Sequence, residues 1–101
     1  MGLFSRTPKQ LKQLDMEITA ARVALSMSDV LGPGHRAQVA QTAPREVAGA
    51  AAAAASAGHL QAAREMLEAA AGRPPSDPAG AQHWPTVVGE ALRAIGAEPA
   101  P

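Results

Sequence analysis

Residues 8–31, PKQLKQLDMEITAARVALSMSDVL, carry the most regular hydrophobic pattern of the chain. Apolar residues recur along this segment at alternating spacings of three and four residues, which is typical of an amphipathic α-helix. Thr7 followed by Pro8 favours a helix start at this point, and Gly32 followed by Pro33 favours its end. We therefore predict a helix that runs from Pro8 to about Leu31.

This predicted helix is apolar on two nearly opposite faces. The first, called here the Leu/Ile face, consists of Leu11, Leu14, Ile18, Ala21 and Leu25. The second, called here the Met/Val face, consists of Met16, Ala20, Val23, Met27 and Val30. Such a helix either lies in the centre of the fold with other helices on both sides, or keeps one face for another chain.

We expect the Leu/Ile face to be the internal one, because Leu and Ile have well-defined rotamers. Methionine is flexible and adapts to varied partners. The predicted partner-binding residues are therefore Met16, Val23, Met27 and Val30. In the competing arrangement, the alanine-rich segment 44–57 covers the Met/Val face and hides it.

The rest of the chain also predicts helices. A short helical turn is expected over residues 35–42, and Pro44 is expected to begin an alanine-rich helix that ends near Ala57. A turn at Gly58 would then lead into an antiparallel helix over residues 59–72, whose apolar face is formed by Leu60, Ala63, Leu67 and Ala70. No segment shows the sustained alternation of a β-strand.

These predictions define an all-α protein, either a small bundle or stacked hairpins, with four or five short helices. We expect an N-terminal tail over residues 1–7, a helical core over 8–72 and a Pro-rich linker over 73–84. A C-terminal helix over 85–96 and a tail over 97–101 follow. The linker should be exposed up to residue 83, and Trp84 should pack onto the core beside the last helix.

Composition excludes several classes of protein. The 101 residues include nine basic and nine acidic side chains and no cysteine, which excludes disulfides, thiol nucleophiles and thiolate zinc sites. Alanine accounts for 25 residues, so the core must be thin. No apolar run is long enough to span a membrane, and the N-terminus lacks the apolar region of a secretory signal. We expect a cytoplasmic protein, and the preference for Ala, Gly, Pro and Arg suggests a bacterial source.

The sequence offers no candidate catalytic, cofactor-binding or metal-binding residues. No serine lies in a Gly-x-Ser-x-Gly elbow, and Gly32-Pro33-Gly34 lacks the Lys and Ser/Thr of a phosphate-binding loop. His35 and His59 have no acidic residue three or four positions later that would complete a ligand pair, and His83 lies in the linker. We therefore expect a protein that is not an enzyme.

Two features point to nucleic acid as an alternative partner. Arg6, Lys9 and Lys12 form a small basic cluster at the predicted start of the first helix, where positive charge opposes the helix dipole and could bind a polyanion. Residues 42–47, Thr-Ala-Pro-Arg-Glu-Val, resemble the opening of the helix-turn-helix of excisionase-like and MerR-like proteins, although Ala stands at 52–54, where that family turns.

Residues 44–77 are similar to one tetratricopeptide unit. Gly58 falls at the turn between the two helices, and Ala63, Leu67, Ala70 and Pro75 match the small, large, small and proline positions of that family. The resemblance implies a helical hairpin and peptide binding in a groove. Together these patterns predict a non-enzymatic module that binds another protein or a second copy of itself, with a nucleic-acid-associated regulator as the alternative.

Overall fold

The computed structural model describes residues 8–27 and 32–96. In these residues the chain forms five α-helices and no strand, which confirms the all-α class. The helices are α1 (Lys9–Ser26), α2 (Pro33–Ser56), α3 (Leu60–Ala71), α4 (Pro78–Ala81) and α5 (Trp84–Ala94). The terminal tails over 1–7 and 97–101 lie outside the described residues.

The central helix of the fold is α2, not α1. Its most extensive contacts are with α1 and with α5, whereas α3 contacts α5, α2 and α1 to similar extents, and the short α4 lies mainly against α1. Most of the buried side chains of α2 are alanines, among them Ala43, Ala51 and Ala54. Small side chains let α1 and α5 approach the α2 backbone closely. Helix α2 is therefore covered on two sides, although its own side chains offer little apolar area.

The prediction that a new helix begins at Pro44 is wrong. Helix α2 is continuous from Pro33 to Ser56, with Pro44 buried in its interior. An internal proline removes one backbone hydrogen bond and costs about 3 kcal/mol or more. Core contacts nevertheless continue on both sides of it, through Val39 before the proline and Val47 after it. Packing along the whole face therefore keeps both halves in one helix.

Gly58 ends α2, as the sequence predicts. Its φ of 91° lies in the left-handed region, where a residue without a Cβ atom is favoured. The N–H of His59 donates to the Ala54 carbonyl at 2.9 Å, and the N–H of Gly58 donates to the Ala55 carbonyl at 3.0 Å. This pair of bonds is a Schellman motif. Residues 44–72 therefore form parts of two helices rather than one long rod.

Two other local expectations differ from the structure. Helix α1 ends at Ser26 rather than near Leu31, and residues 28–31 lie outside the described part. Leu60, expected on the buried face of α3, is 47% exposed and is the first residue of that helix. The remaining three members of that face, Ala63, Leu67 and Ala70, are buried as predicted.

The segment 73–83 is not the fully exposed linker that its three prolines suggest. Pro75 and Gly80 are buried, and residues Pro78–Ala81 form α4, which begins where the Asp77 carboxylate accepts a hydrogen bond from the Ala79 N–H at 3.2 Å. Trp84 is 2% exposed and begins α5, so its predicted packing on the core is confirmed.

Candidate partner-binding surface

The two faces of α1 have opposite environments. On the Leu/Ile face, Leu14 and Leu25 have no exposed surface, and Ile18 is 5% exposed. On the Met/Val face, Met16 is 62% exposed, Val23 49% and Met27 42%, and Ala20 between them is also exposed. The predicted choice of the internal face is confirmed. Neither α2 nor any other described helix hides the Met/Val face.

Isolated apolar side chains are common on protein surfaces, but a contiguous row of them is a candidate contact surface. These four residues follow one another along a single helix at spacings of four, three and four, so their side chains are neighbours. Val30, the fifth predicted member, lies outside the described residues. Whether the row binds a partner stays a prediction.

Interactions with distant parts of the chain fix the orientation of α1, and so of the Met/Val face. The Arg22 guanidinium lies 5.4 Å from the centre of the Trp84 ring, and its Nε donates to the Arg73 carbonyl at 2.9 Å. Ser26 donates to the Arg22 carbonyl and accepts from the Ser76 N–H at 3.2 Å. The C-terminal half of α1 is thus tied to the segment that follows α3.

Two further contacts complete this anchor. The Trp84 indole Nε1 donates to the Ala70 carbonyl at the end of α3, at 2.7 Å. Gly80 in α4 lies directly on the Leu25 backbone, where a Cβ atom would collide with the Leu25 carbonyl oxygen. Sequence analysis missed Arg22, Ser26 and Gly80, since their partners are far away in sequence and no local pattern marks them.

Shallow grooves flank α1 on both sides of the exposed row. Toward α2, Glu17 and Ala20 share a groove with Thr42 and Glu46. Toward α3, a more open and more apolar groove includes Leu11, Lys12, Asp15, Glu65 and Met66. Apolar and charged side chains both line each groove.

The structure describes two of the three residues of the basic cluster. Lys9 and Lys12 are exposed on the first turns of α1, and Arg6 lies outside the described part. Asp15 lines the α3 groove together with Lys12. The acidic neighbour reduces the positive potential that a polyanion would meet.

The described residues contain no group of three or more His, Asp and Glu side chains that could hold a metal ion. In the same part of the chain, no helix has both the length and the apolar character needed to cross a membrane. The turn at Gly58 agrees with the tetratricopeptide resemblance, but the preceding helix begins at Pro33, well before the start of such a unit.

No family model, no curated protein and no solved structure matches this chain.

Proposed function

We propose that this protein is a non-enzymatic helical interaction module that binds another polypeptide through the Met/Val face of α1. The observation that carries the proposal is the exposure of Met16, Val23 and Met27 on the side of α1 opposite its buried leucines. Methionine side chains adapt to varied partners because they are flexible and polarizable, and an amphipathic helix that docks by its apolar face is a recurring mode of recognition.

The anchoring of α1 supports this function. A surface held in one orientation loses little conformational freedom on binding, so more of the contact energy appears as affinity. Arg22 and Ser26 hold the C-terminal half of α1 from the side that faces the segment after α3, and neither is used by the exposed row. The row is therefore both exposed and positioned.

The substitution Val23→Glu tests the proposal. At 49% exposure, a glutamate at this position remains hydrated, so the free energy of unfolding should change by less than about 0.5 kcal/mol. In the centre of a docked apolar surface the same carboxylate would be desolvated, and binding should weaken at least about tenfold. The measurement is affinity capture of partners from extracts of the source organism, with thermal denaturation run in parallel.

Leu60→Glu is the matched control, because Leu60 is 47% exposed but lies at the start of α3. We expect the Leu60 variant to capture the same partner as the unaltered protein and the Val23 variant to lose it. Equal capture by the two variants, or unfolding of the Val23 variant, would contradict a partner-binding role for the Met/Val face.

A nucleic-acid-associated regulator is the alternative, and it rests on Lys9 and Lys12 with Arg6 before them. Three cations, with Asp15 near Lys12, make a small electrostatic footprint. If this alternative holds, the protein should be retained on heparin with a steep dependence on salt, and Lys9→Gln with Lys12→Gln should abolish the retention.

A further inference from the structure

The exposed row on α1 has the spacing of a coiled-coil seam. Met16, Ala20, Val23 and Met27 are separated by four, three and four residues, which places Met16 and Val23 at d positions and Ala20 and Met27 at a positions of a heptad. In the described structure these seam positions are exposed, and no helix of the same chain packs on them. The pattern therefore favours a partner helix from another chain.

We propose that this partner is a second copy of the same chain, docked in parallel about a two-fold axis so that each seam residue meets its own counterpart. The inference rests on the proposed function, since it uses the same face of α1, and it adds the identity and the direction of the partner. A two-fold pair is the commonest form of self-association among soluble proteins. What selects the parallel direction is charge.

Lys12 and Glu17 flank the seam on opposite sides, at g and e positions, and are five residues apart. In a parallel pair, each g residue lies beside the partner's e residue five positions later. Lys12 of each copy would therefore meet Glu17 of the partner subunit, giving two symmetric ion pairs. In an antiparallel pair, flanks of the same kind meet, and Lys12 would face the flank that carries Thr19 and Ser26, which has no acid.

The surroundings of Lys12 and Glu17 in the described structure are compatible with this pairing. Lys12 is exposed, and the Glu17 carboxylate accepts a hydrogen bond from Gln13 Nε2 at 2.7 Å, which limits the orientations it can take. Glu46 of α2 lines the same groove as Glu17, so the flank that would receive the partner's lysine carries two carboxylates. The surface is therefore complementary to itself in the parallel direction.

The seam also sets the strength of the pair. Ala20 at its centre allows two helices to approach closely, while four apolar positions span only about 17 Å of helix. Gln13 and Lys9 occupy the next a and d positions toward the N-terminus, so the apolar contact ends at Met16. A contact of this size belongs to the weak, transient class, which forms at high protein concentration.

Cysteine crosslinking tests both the partner and the direction, because the natural chain has no cysteine. In the parallel pair, Ala20→Cys and Met16→Cys should each oxidise to covalent dimers at high micromolar concentration, since like positions face each other within disulfide reach. Leu60→Cys, at a similarly exposed apolar position on α3, is the control and should stay monomeric. An antiparallel pair would instead crosslink a mixture of Met16→Cys and Met27→Cys while leaving Met16→Cys alone monomeric, and that result would overturn the proposal.

Charge exchange provides the second test, by sedimentation equilibrium from micromolar to millimolar concentration. Lys12→Glu and Glu17→Lys should each weaken dimerisation about tenfold, because each replaces two attractions by two repulsions. The double variant should recover most of the lost affinity, with Glu46 beside position 17 opposing full recovery, and a purely structural role of either residue would not produce this recovery. A double variant as weak as the single ones would contradict the parallel pairing.

An unaltered protein that stays monomeric up to millimolar concentration would also overturn the inference. The proposed function would survive that result if Val23→Glu still lost a foreign partner that Leu60→Glu retained. The two failures are therefore distinguishable. Sedimentation tests whether the partner is a second copy of the chain, and the matched capture experiment tests whether the Met/Val face binds a partner at all.

Discussion

Single side chains far apart in sequence hold this thin core together. Trp84 combines nearly complete burial with a hydrogen bond to the Ala70 carbonyl, and Arg22 covers its ring. A buried indole N–H without a partner would cost about 1–3 kcal/mol, so the bond to α3 is part of what fixes the start of α5. Gly80 contributes by having no side chain, because this allows α4 to contact the Leu25 backbone directly.

The close contact at Gly80 leads to a prediction at the scale of one residue. Gly80→Ala should lower the free energy of unfolding by about 1–3 kcal/mol, because the new Cβ atom collides with backbone that cannot move aside alone. Gly49→Ala is the control: Gly49 lies exposed inside α2 with no atom near its missing Cβ, so alanine should stabilise the protein by up to about 1 kcal/mol. Urea denaturation followed by circular dichroism measures both, and equal effects would contradict the packing of α4 on α1.

At the scale of elements, α2 shows how packing can outweigh a local stop signal. Pro44 favours a helix start when the sequence is read alone, and the chain before it carries no strong helical pattern. In the structure, Val39, Ala43 and Val47 continue one core-facing row through the proline. Tertiary contacts on both sides of the proline offset the missing hydrogen bond.

Pro44→Ala tests this interpretation of α2. Alanine restores an N–H that can donate to the Ala40 carbonyl and removes the clash of the ring with the preceding turn. We expect the free energy of unfolding to rise by about 1–3 kcal/mol. The loss of packing by the buried proline ring reduces this gain. Thermal denaturation is the measurement. A lower melting temperature, with reduced helical signal, would instead indicate that Pro44 begins a separate helix.

At the scale of the whole molecule, the fold buries one face of α1 and leaves the other to solvent. The structure achieves this by placing the alanine-rich α2, rather than α1, between two neighbours. Large side chains of α1 and α5 then meet small ones of α2, and most of the large apolar residues that the structure describes are fully or partly buried there. Four of the described ones stay exposed: Met16, Val23 and Met27 form the proposed binding surface, and Leu60 lies on α3.

A pair of substitutions two residues apart tests this arrangement of the molecule. Leu25→Ala should destabilise the protein by about 2–5 kcal/mol, because Leu25 has no exposed surface and the loss leaves a cavity. Val23→Ala should change stability by less than about 0.5 kcal/mol, because nearly half of the side chain is already in water. Chemical denaturation measures both. Similar losses for the two variants would mean that α1 is covered on both sides.

Much of the candidate surface could be predicted from the sequence. The alternation of spacings in residues 8–31 is a local property, and it was enough to separate two faces and to assign Leu14, Ile18 and Leu25 to the interior. It was not enough to decide whether a second helix covers Met16 and Val23, because that depends on where α2 packs. The anchor at Arg22 could not be predicted, since its partner carbonyl is 51 residues away.

The sequence by itself determined the elements whose signals are local: the amphipathic α1, the glycine that ends α2 at Gly58, and the buried face of α3 around Leu67. Only the tertiary structure decided that α2 continues through Pro44 and lies at the centre, and that Gly80 meets Leu25. Periodicity and capping act within one or two helical turns, whereas these outcomes depend on which distant surfaces pack together and on the apolar area each arrangement buries.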